Sequence, residues 1–326
     1  MLVGAWIEDG TVSVRNDLPD PVAGDGEVVV RVLAVGICGT DLGILRGELD
    51  FRGIPGHELV GVVENGPQDW RGIRVVAEIN VTCPGDRTEP ARCRECRAGR
   101  SSHCLRRTAI GIRDRPGALA RRIALPSRNL HTVPTSLSDE VATLVEPLAA
   151  AFRILEQVEI DDDDSILVVG PGRLGILVAR VVEATGARVL AAGRSRRGIE
   201  RARAAGLATV HRDEVAVGTF DVAIDCAGDP TGFALARSAV RPAGTLVVKS
   251  TYARPFEVDV RSLMVEELRI VGSRCGPFPR ALDALATGAI EVQDLIDSRF
   301  SLSDTPAAFH RAAQPGAGKV LVVPEE

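Results

Sequence analysis

Apolar and polar positions alternate over the first 35 residues, most plainly in Gly26-Glu27-Val28-Val29-Val30-Arg31-Val32-Leu33-Ala34-Val35, with turn clusters at Asp17-Leu18-Pro19-Asp20-Pro21 and Gly24-Asp25-Gly26. A period of two marks strands with one face on a core. Short strands broken by Gly and Pro continue through Gly53-Ile54-Pro55-Gly56, Val60–Glu64 and Ile73–Ile79 to a polar, arginine-rich lobe at 83–107. Residues 1–140 are therefore expected to form a mainly β domain. After Leu137-Ser138-Asp139-Glu140 the spacing turns helical, placing Ala142, Leu144, Leu148 and Phe152 near one face. From Ser165 onward, the fully apolar runs Ile166–Val169, Arg188–Ala192, Asp221–Cys226, Thr245–Val248 and Leu268–Val271 alternate with amphipathic helices. Strands apolar on both faces belong to a parallel sheet covered by helices, so 141–275 is expected to be a doubly wound α/β domain. The remainder, 276–326, ends in the strand Lys319–Val323 and is expected to return to the first domain.

A chain of 326 residues fits about two domains. Its 45% hydrophobic and 25% charged content excludes disorder and coiled coil. The formal net charge of −5 provides no global cationic field for nucleic acid or anionic lipid. No apolar run approaches the roughly 18–20 residues that cross a bilayer, and the first residues lack the basic and apolar regions of a secretion signal. A cytoplasmic protein without membrane or nucleic-acid partners is expected. The run Asp161-Asp162-Asp163-Asp164 precedes a buried strand and reads as a solvated turn. Seven cysteines, an odd number, make a poor disulfide framework. Four of them cluster between 83 and 104, which suggests metal.

The strand Ile166–Val169 runs into Gly170-Pro171-Gly172-Arg173-Leu174-Gly175 and then a helix, the order of a dinucleotide-binding loop. Gly170 permits the tight turn, Gly172 and Leu174 belong to the stretch facing a pyrophosphate, and Gly175 lets helix and strand pack closely. An NAD-selective site places Asp or Glu about 20 residues on. Here the second strand ends in Gly193-Arg194-Ser195-Arg196, with no carboxylate. Gly193 is expected to leave room, while Ser195 with Arg194 or Arg196 holds a 2′-phosphate, favouring NADP(H) over NAD(H). Arginine is the usual cation throughout: only Lys249 and Lys319 are lysine.

Cys83, Cys93, Cys96 and Cys104 give C-x9-C-x2-C-x7-C, a donor set for a closed tetrahedral structural zinc. Arg87, Arg92, Arg94, Arg97, Arg100, Arg106 and Arg107 surround them, but no aromatic residue is interleaved for stacking on a nucleic acid. A second constellation joins Gly36-Ile37-Cys38-Gly39-Thr40-Asp41, Gly56-His57-Glu58 and Val145-Glu146-Pro147-Leu148. Cys38, His57 and a carboxylate would leave a fourth position open, as catalytic zinc requires.

These motifs together resemble the zinc-dependent medium-chain alcohol dehydrogenases, in the branch of sorbitol and threonine dehydrogenases, over essentially the whole chain. The resemblance implies a GroES-like β catalytic domain that includes the C-terminal tail, and a Rossmann cofactor domain. It implies two zincs per chain: a catalytic one on Cys38, His57 and Glu146, and a structural one on the four clustered cysteines. Glu58 would lie behind the catalytic metal or exchange onto it, and Asp41 would orient His57 through its other ring nitrogen. Thr40 would relay the alcohol proton toward the nicotinamide ribose. Ser250, Thr251, Ser273 and Arg274, at strand ends, would approach cofactor or substrate. Glu146 leans toward a polyol, sugar or amino alcohol as the small-molecule substrate, and relatives form homodimers or homotetramers. Two departures stand out: the longer spacing Pro84–Arg92 in the cysteine lobe, and Gly43 where many relatives end the proton relay in histidine. An NAD-dependent polyol or threonine-type dehydrogenase and a non-catalytic NADPH-binding zinc protein remain open at this point.

Overall fold

The computed structural model describes residues 1–84 and 92–325. Arg87 and most of the long cysteine spacing lie outside them. The chain divides into two units, one of residues 1–146, 298–313 and 319–326, the other of 147–297 and 314–318.

The first unit is built around the strand Glu27–Gly36, whose Val28, Val30, Val32 and Val35 are buried. It pairs antiparallel with Glu58–Asn65, with Arg122–Pro126 and with the late strand Lys319–Val323, all in one seven-stranded sheet. Leu59, Val63, Val75, Ile123, Leu125, Val320 and Val322 complete the apolar interior on the inward positions of these strands. A separate hairpin pairs Leu2–Glu8 with Thr11–Leu18. The short pair Asn80–Val81 and Thr108–Ala109 carries the cysteine lobe. The helix Gly39–Leu45, which the hydrophobic pattern does not announce, begins at Cys38 because Asp41 closes a capping box on it.

The second unit is a six-stranded parallel sheet in the order Thr209–His211, Arg188–Gly193, Ser165–Val169, Phe220–Asp225, Val240–Val248, Arg269–Gly272. In order of occurrence this is 3-2-1-4-5-6, the doubly wound dinucleotide arrangement. Ile166, Leu167 and Val168 are wholly buried, as expected for a central strand covered on both faces. Thr209–His211 is an additional strand; its three half-buried residues leave no apolar run to read.

The return to the first unit also comes later than expected. Residues 276–297 stay with the parallel sheet's unit, and the switch falls at 298. The helix Phe278–Ala286 buries Phe278, Ala281, Leu282 and Leu285, and a Cβ on Gly276 would collide with the Ala149 carbonyl. That close approach holds the segment to its own unit. Among the described residues no helix is long and apolar enough to cross a membrane.

Candidate active site and metal centres

Cys38, His57 and Glu58 offer ligand atoms that all lie within 4.8 Å of one another. Cys38 caps the helix Gly39–Leu45, and His57 and Glu58 stand at the start of the strand Glu58–Asn65. Both are buried. Asp41, itself inaccessible, ties these segments together by accepting from the Cys38 N–H at 2.8 Å and the Gly56 N–H at 3.1 Å. Its separation from His57 Nδ1 is 3.6 Å, beyond hydrogen-bond reach, and that nitrogen has no hydrogen-bond partner. Asp41 therefore places His57 through the backbone. Burial alone would push the imidazole's pKa down, but Asp41 and Cys38 outweigh it and hold the pKa well above the ordinary value. A cysteine sulfur, a buried imidazole and a buried carboxylate gathered within 4.8 Å form a donor set suited to zinc, so the residues fit the metal that the motif implies.

Glu146 is half-buried in the first turn of the helix Val145–Phe152 and falls outside this tight group. Thr40 Oγ1 lies 3.8 Å from Cys38 Sγ. A Cβ on Gly43 would stand 2.9 Å from Glu48 Oε2, so this carboxylate, paired with Arg46 at 3.1 Å, occupies the space beside the glycine.

In the cysteine lobe, Cys83 and Cys104 sulfurs are 3.5 Å apart and Cys93 and Cys104 sulfurs 3.8 Å, with Cys96 in the same group. Zinc–sulfur bonds of about 2.3 Å imply tetrahedron edges of about 3.8 Å, whereas a disulfide needs about 2.05 Å. All four thiols are free, and their spacing fits one zinc. N–H donors of Cys96 and Leu105 bring the Cys93 thiol down to about 6, while burial pushes Cys104 up to about 11. Arg106 Nη2, 3.0 Å from Cys83 Sγ, adds a cation that composition alone would leave on the surface.

The glycine loop follows Ser165–Val169 as expected. Gly170 has φ +88, and a Cβ there would lie 2.6 Å from the Ala227 backbone. A Cβ on Gly175 would collide with the Gly170 carbonyl, so the helix Arg173–Glu183 can begin there only with glycine. Gly172, its N-cap, faces open space and leaves the helix N-terminus accessible to an anion. Leu174 lies in the first turn.

At the next strand end, the space beside Gly193 is filled rather than vacant: Ile199 Cγ1 would stand 2.7 Å from a Cβ and Pro171 Cγ 3.2 Å. No carboxylate fits there. Arg194 and Arg196 line a surface recess with Ile199, Glu200, Arg203 and His211, four residues the motif did not indicate. Ser195 caps the helix Arg196–Ala204 by accepting from Gly198 N–H at 3.1 Å, and Arg196 pairs with Glu200 at 2.7 Å.

Ser250, Thr251, Ser273 and Arg274 follow the strands Val240–Val248 and Arg269–Gly272, at the same carboxyl edge as the glycine loop. Ser250 accepts from Gly228 N–H at 2.8 Å and donates to the Asp225 carbonyl at 3.2 Å. Ser273 Oγ and the Arg274 carbonyl receive Lys249 Nζ at 3.3 and 2.8 Å. Thr251 is exposed. Tyr252, the chain's single tyrosine, donates to the buried Asp225 carboxylate. The motifs assign no site role to Asp225, Tyr252 or Lys249, although the rarity of tyrosine and lysine in this chain is a usable signal.

A GroES-like β unit with paired thiol donor sets, joined in one chain to a doubly wound dinucleotide unit, defines a zinc-dependent nicotinamide oxidoreductase. Residues 24–135 match the alcohol dehydrogenase GroES-like domain and 174–287 the zinc-binding dehydrogenase domain. The chain is 30% identical to an L-threonine 3-dehydrogenase of Chelativorans sp. (strain BNC1) over 98% of its own length and 97% of the relative's. It is 30% identical to one of Streptomyces coelicolor over 94% of each. Among solved structures, a zinc-binding dehydrogenase of Sinorhizobium meliloti 1021 bound to NADP superimposes with a TM-score of 0.89 at 30% identity, covering 99% of each chain. The rspB alcohol dehydrogenase of E. coli CFT073, complexed with NADH, gives 0.88 at 25% identity with the same coverage. The chain belongs to the zinc-dependent medium-chain alcohol dehydrogenase family and is an enzyme of that class.

Proposed function

We propose that this enzyme interconverts a small polyol, sugar or amino alcohol with its carbonyl partner, prefers NADP(H), and carries two zincs. One is held by Cys83, Cys93, Cys96 and Cys104, the other by Cys38 and His57 with a carboxylate from Glu146 or Glu58. The convergence of the Cys38, His57 and Glu58 donors in the β unit carries the reading. Zinc there supplies Lewis acidity toward the alcohol or carbonyl oxygen, and the nicotinamide supplies the hydride carrier. The protein's own groups position and move the proton. Asp41 fixes the Cys38 and Gly56 backbones, and the Thr40 hydroxyl beside Cys38 Sγ relays the alcohol proton, taking it as it releases its own. With no histidine at 43, that proton leaves through water.

The NADP preference is supported by the recess in which Arg194, Arg196, Arg203 and His211 outnumber the single acid Glu200, and by the crowding at Gly193. An S. meliloti relative binds NADP and an E. coli one NADH, so family membership alone favours neither. A homo-oligomer is supported by the helix Val260–Val265 and the edge strand Arg269–Gly272, where Val260, Met264 and Val265 are each about two-thirds exposed and Ile270 nearly half. Seven free thiols suit the reducing cytoplasm.

Elemental analysis of the purified chain should give two zincs, falling to one in Cys38→Ala, and the two-zinc protein should reduce NADP with polyols or amino alcohols. One zinc in both proteins sinks the reading.

A further inference from the structure

Both of the chain's lysines are buried, and Lys319 is the deeper at 3% exposure. Its Nζ forms an ion pair with Glu58 Oε2, a carboxylate only 1% exposed. Strand register sets the route. Gly36 pairs with Glu58 on one side and on the other with Leu321, two residues from Lys319, so its strand lies between the two strands that carry the charges. A Cβ at Gly36 would collide with Glu58 Oε2 and stand 3.1 Å from Lys319 Cδ. The missing side chain is therefore the opening through which a lysine crosses a whole strand. The same Glu58 carboxylate lies in the cluster with Cys38 Sγ and the His57 ring. One buried anion thus faces two cation positions, an ammonium already in place and a metal.

We propose that Lys319 is a positioning residue that restrains Glu58 and weakens its hold on the metal, so that this coordination position stays exchangeable. The inference rests on the zinc reading of Cys38 and His57. Its sign follows from electrostatics: a fixed ammonium near a dication lowers the dication's affinity, and a buried setting enlarges the effect. Lys319 also engages Oε2, leaving one oxygen to face the metal. Without the ammonium, Glu58 is a buried carboxylate whose nearest remaining cation is the metal, and it closes onto it. The slender aliphatic stem of lysine carries a compact charge past Gly36 to the carboxylate.

Cobalt(II) is the probe, loaded into the full-length protein and read against Cys38→Ala, which keeps only the four-cysteine site. In Lys319→Met the difference spectrum should show the weaker d–d bands of a higher coordination number. Release of that cobalt to EDTA should slow by about tenfold or more, within the range over which outer-shell partners tune metal sites. Purely structural damage would do the reverse and speed release. Lys319→Gln, whose amide still donates to Glu58 without a charge, should slow release while preserving the fold. Adding Glu58→Gln to Lys319→Met should abolish the slowing. Spectra and release rates unchanged in folded Lys319→Met and Lys319→Gln overturn the restraint alone. Wild-type protein with no more cobalt than Cys38→Ala overturns the zinc reading beneath it.

Discussion

Thr40 is one hydroxyl on a helix turn, 3.8 Å from Cys38 Sγ, and the proposed function gives it the relay of the alcohol proton. General acid–base groups of this kind contribute roughly 10²–10⁴-fold, so Thr40→Ala should lower kcat by that order while elemental analysis still finds the zinc. Tyr252 poses a stability question instead. Burial raises the pKa of the Asp225 carboxyl that it donates to, while Tyr252, the Ala227 N–H and Ser250 oppose the rise. Tyr252→Phe leaves a buried acceptor short of a donor, at about 1–3 kcal/mol, and a denaturant melt should show the loss. The sequence made some residues legible and hid others for a physical reason. The four cysteines and the glycine loop declare themselves because their partners are within about 20 residues. Lys319 and Glu58 are 261 positions apart, and only strand register brings them together. Asp41 was legible as a site residue, but its hydrogen bonds to the Cys38 and Gly56 backbone N–H groups, alongside its charge near the imidazole, depended on geometry.

At the level of elements, the parallel strands were readable from their largely apolar runs, whereas nothing in the pattern of 276–297 says which of two cores receives its apolar face. The entry to the central strand is held by a polar clamp. The Ser165 N–H reaches Asp221 Oδ2 at 2.8 Å, its hydroxyl at 2.7 Å, and Arg241 Nε meets Oδ1 at 2.6 Å. The Ser165 N–H, with Arg241 adding to it against the effect of burial, brings the Asp221 carboxyl down to about 2. A depressed carboxylate stabilises above its unfolded pKa of about 3.9, and the contribution fades as pH falls through the folded value. Asp221→Asn should therefore be less stable than wild type at pH 6, with the gap closing between about pH 4 and pH 2 in denaturant titrations. Gly175→Ala tests the loop itself: a methyl driven into the Gly170 carbonyl should abolish dinucleotide binding, measured by nucleotide fluorescence, while zinc content stays the same.

For the molecule as a whole, the exposed apolar face of Val260–Val265 beside the sheet edge is the surface on which the proposed homo-oligomer would pair, a second copy offering an identical one. Met264→Glu should shift the mass measured by light scattering from oligomer toward monomer, and an unchanged mass removes that face from the interface. The near-absence of lysine has another consequence. Lys249 and Lys319 are both enclosed, one against Ser273 and Arg274, the other against Glu58. Reagents that acylate lysine amines will find none on the native surface and two once the fold opens, so the chain carries its own chemical clock for unfolding, readable as mass added at two known positions.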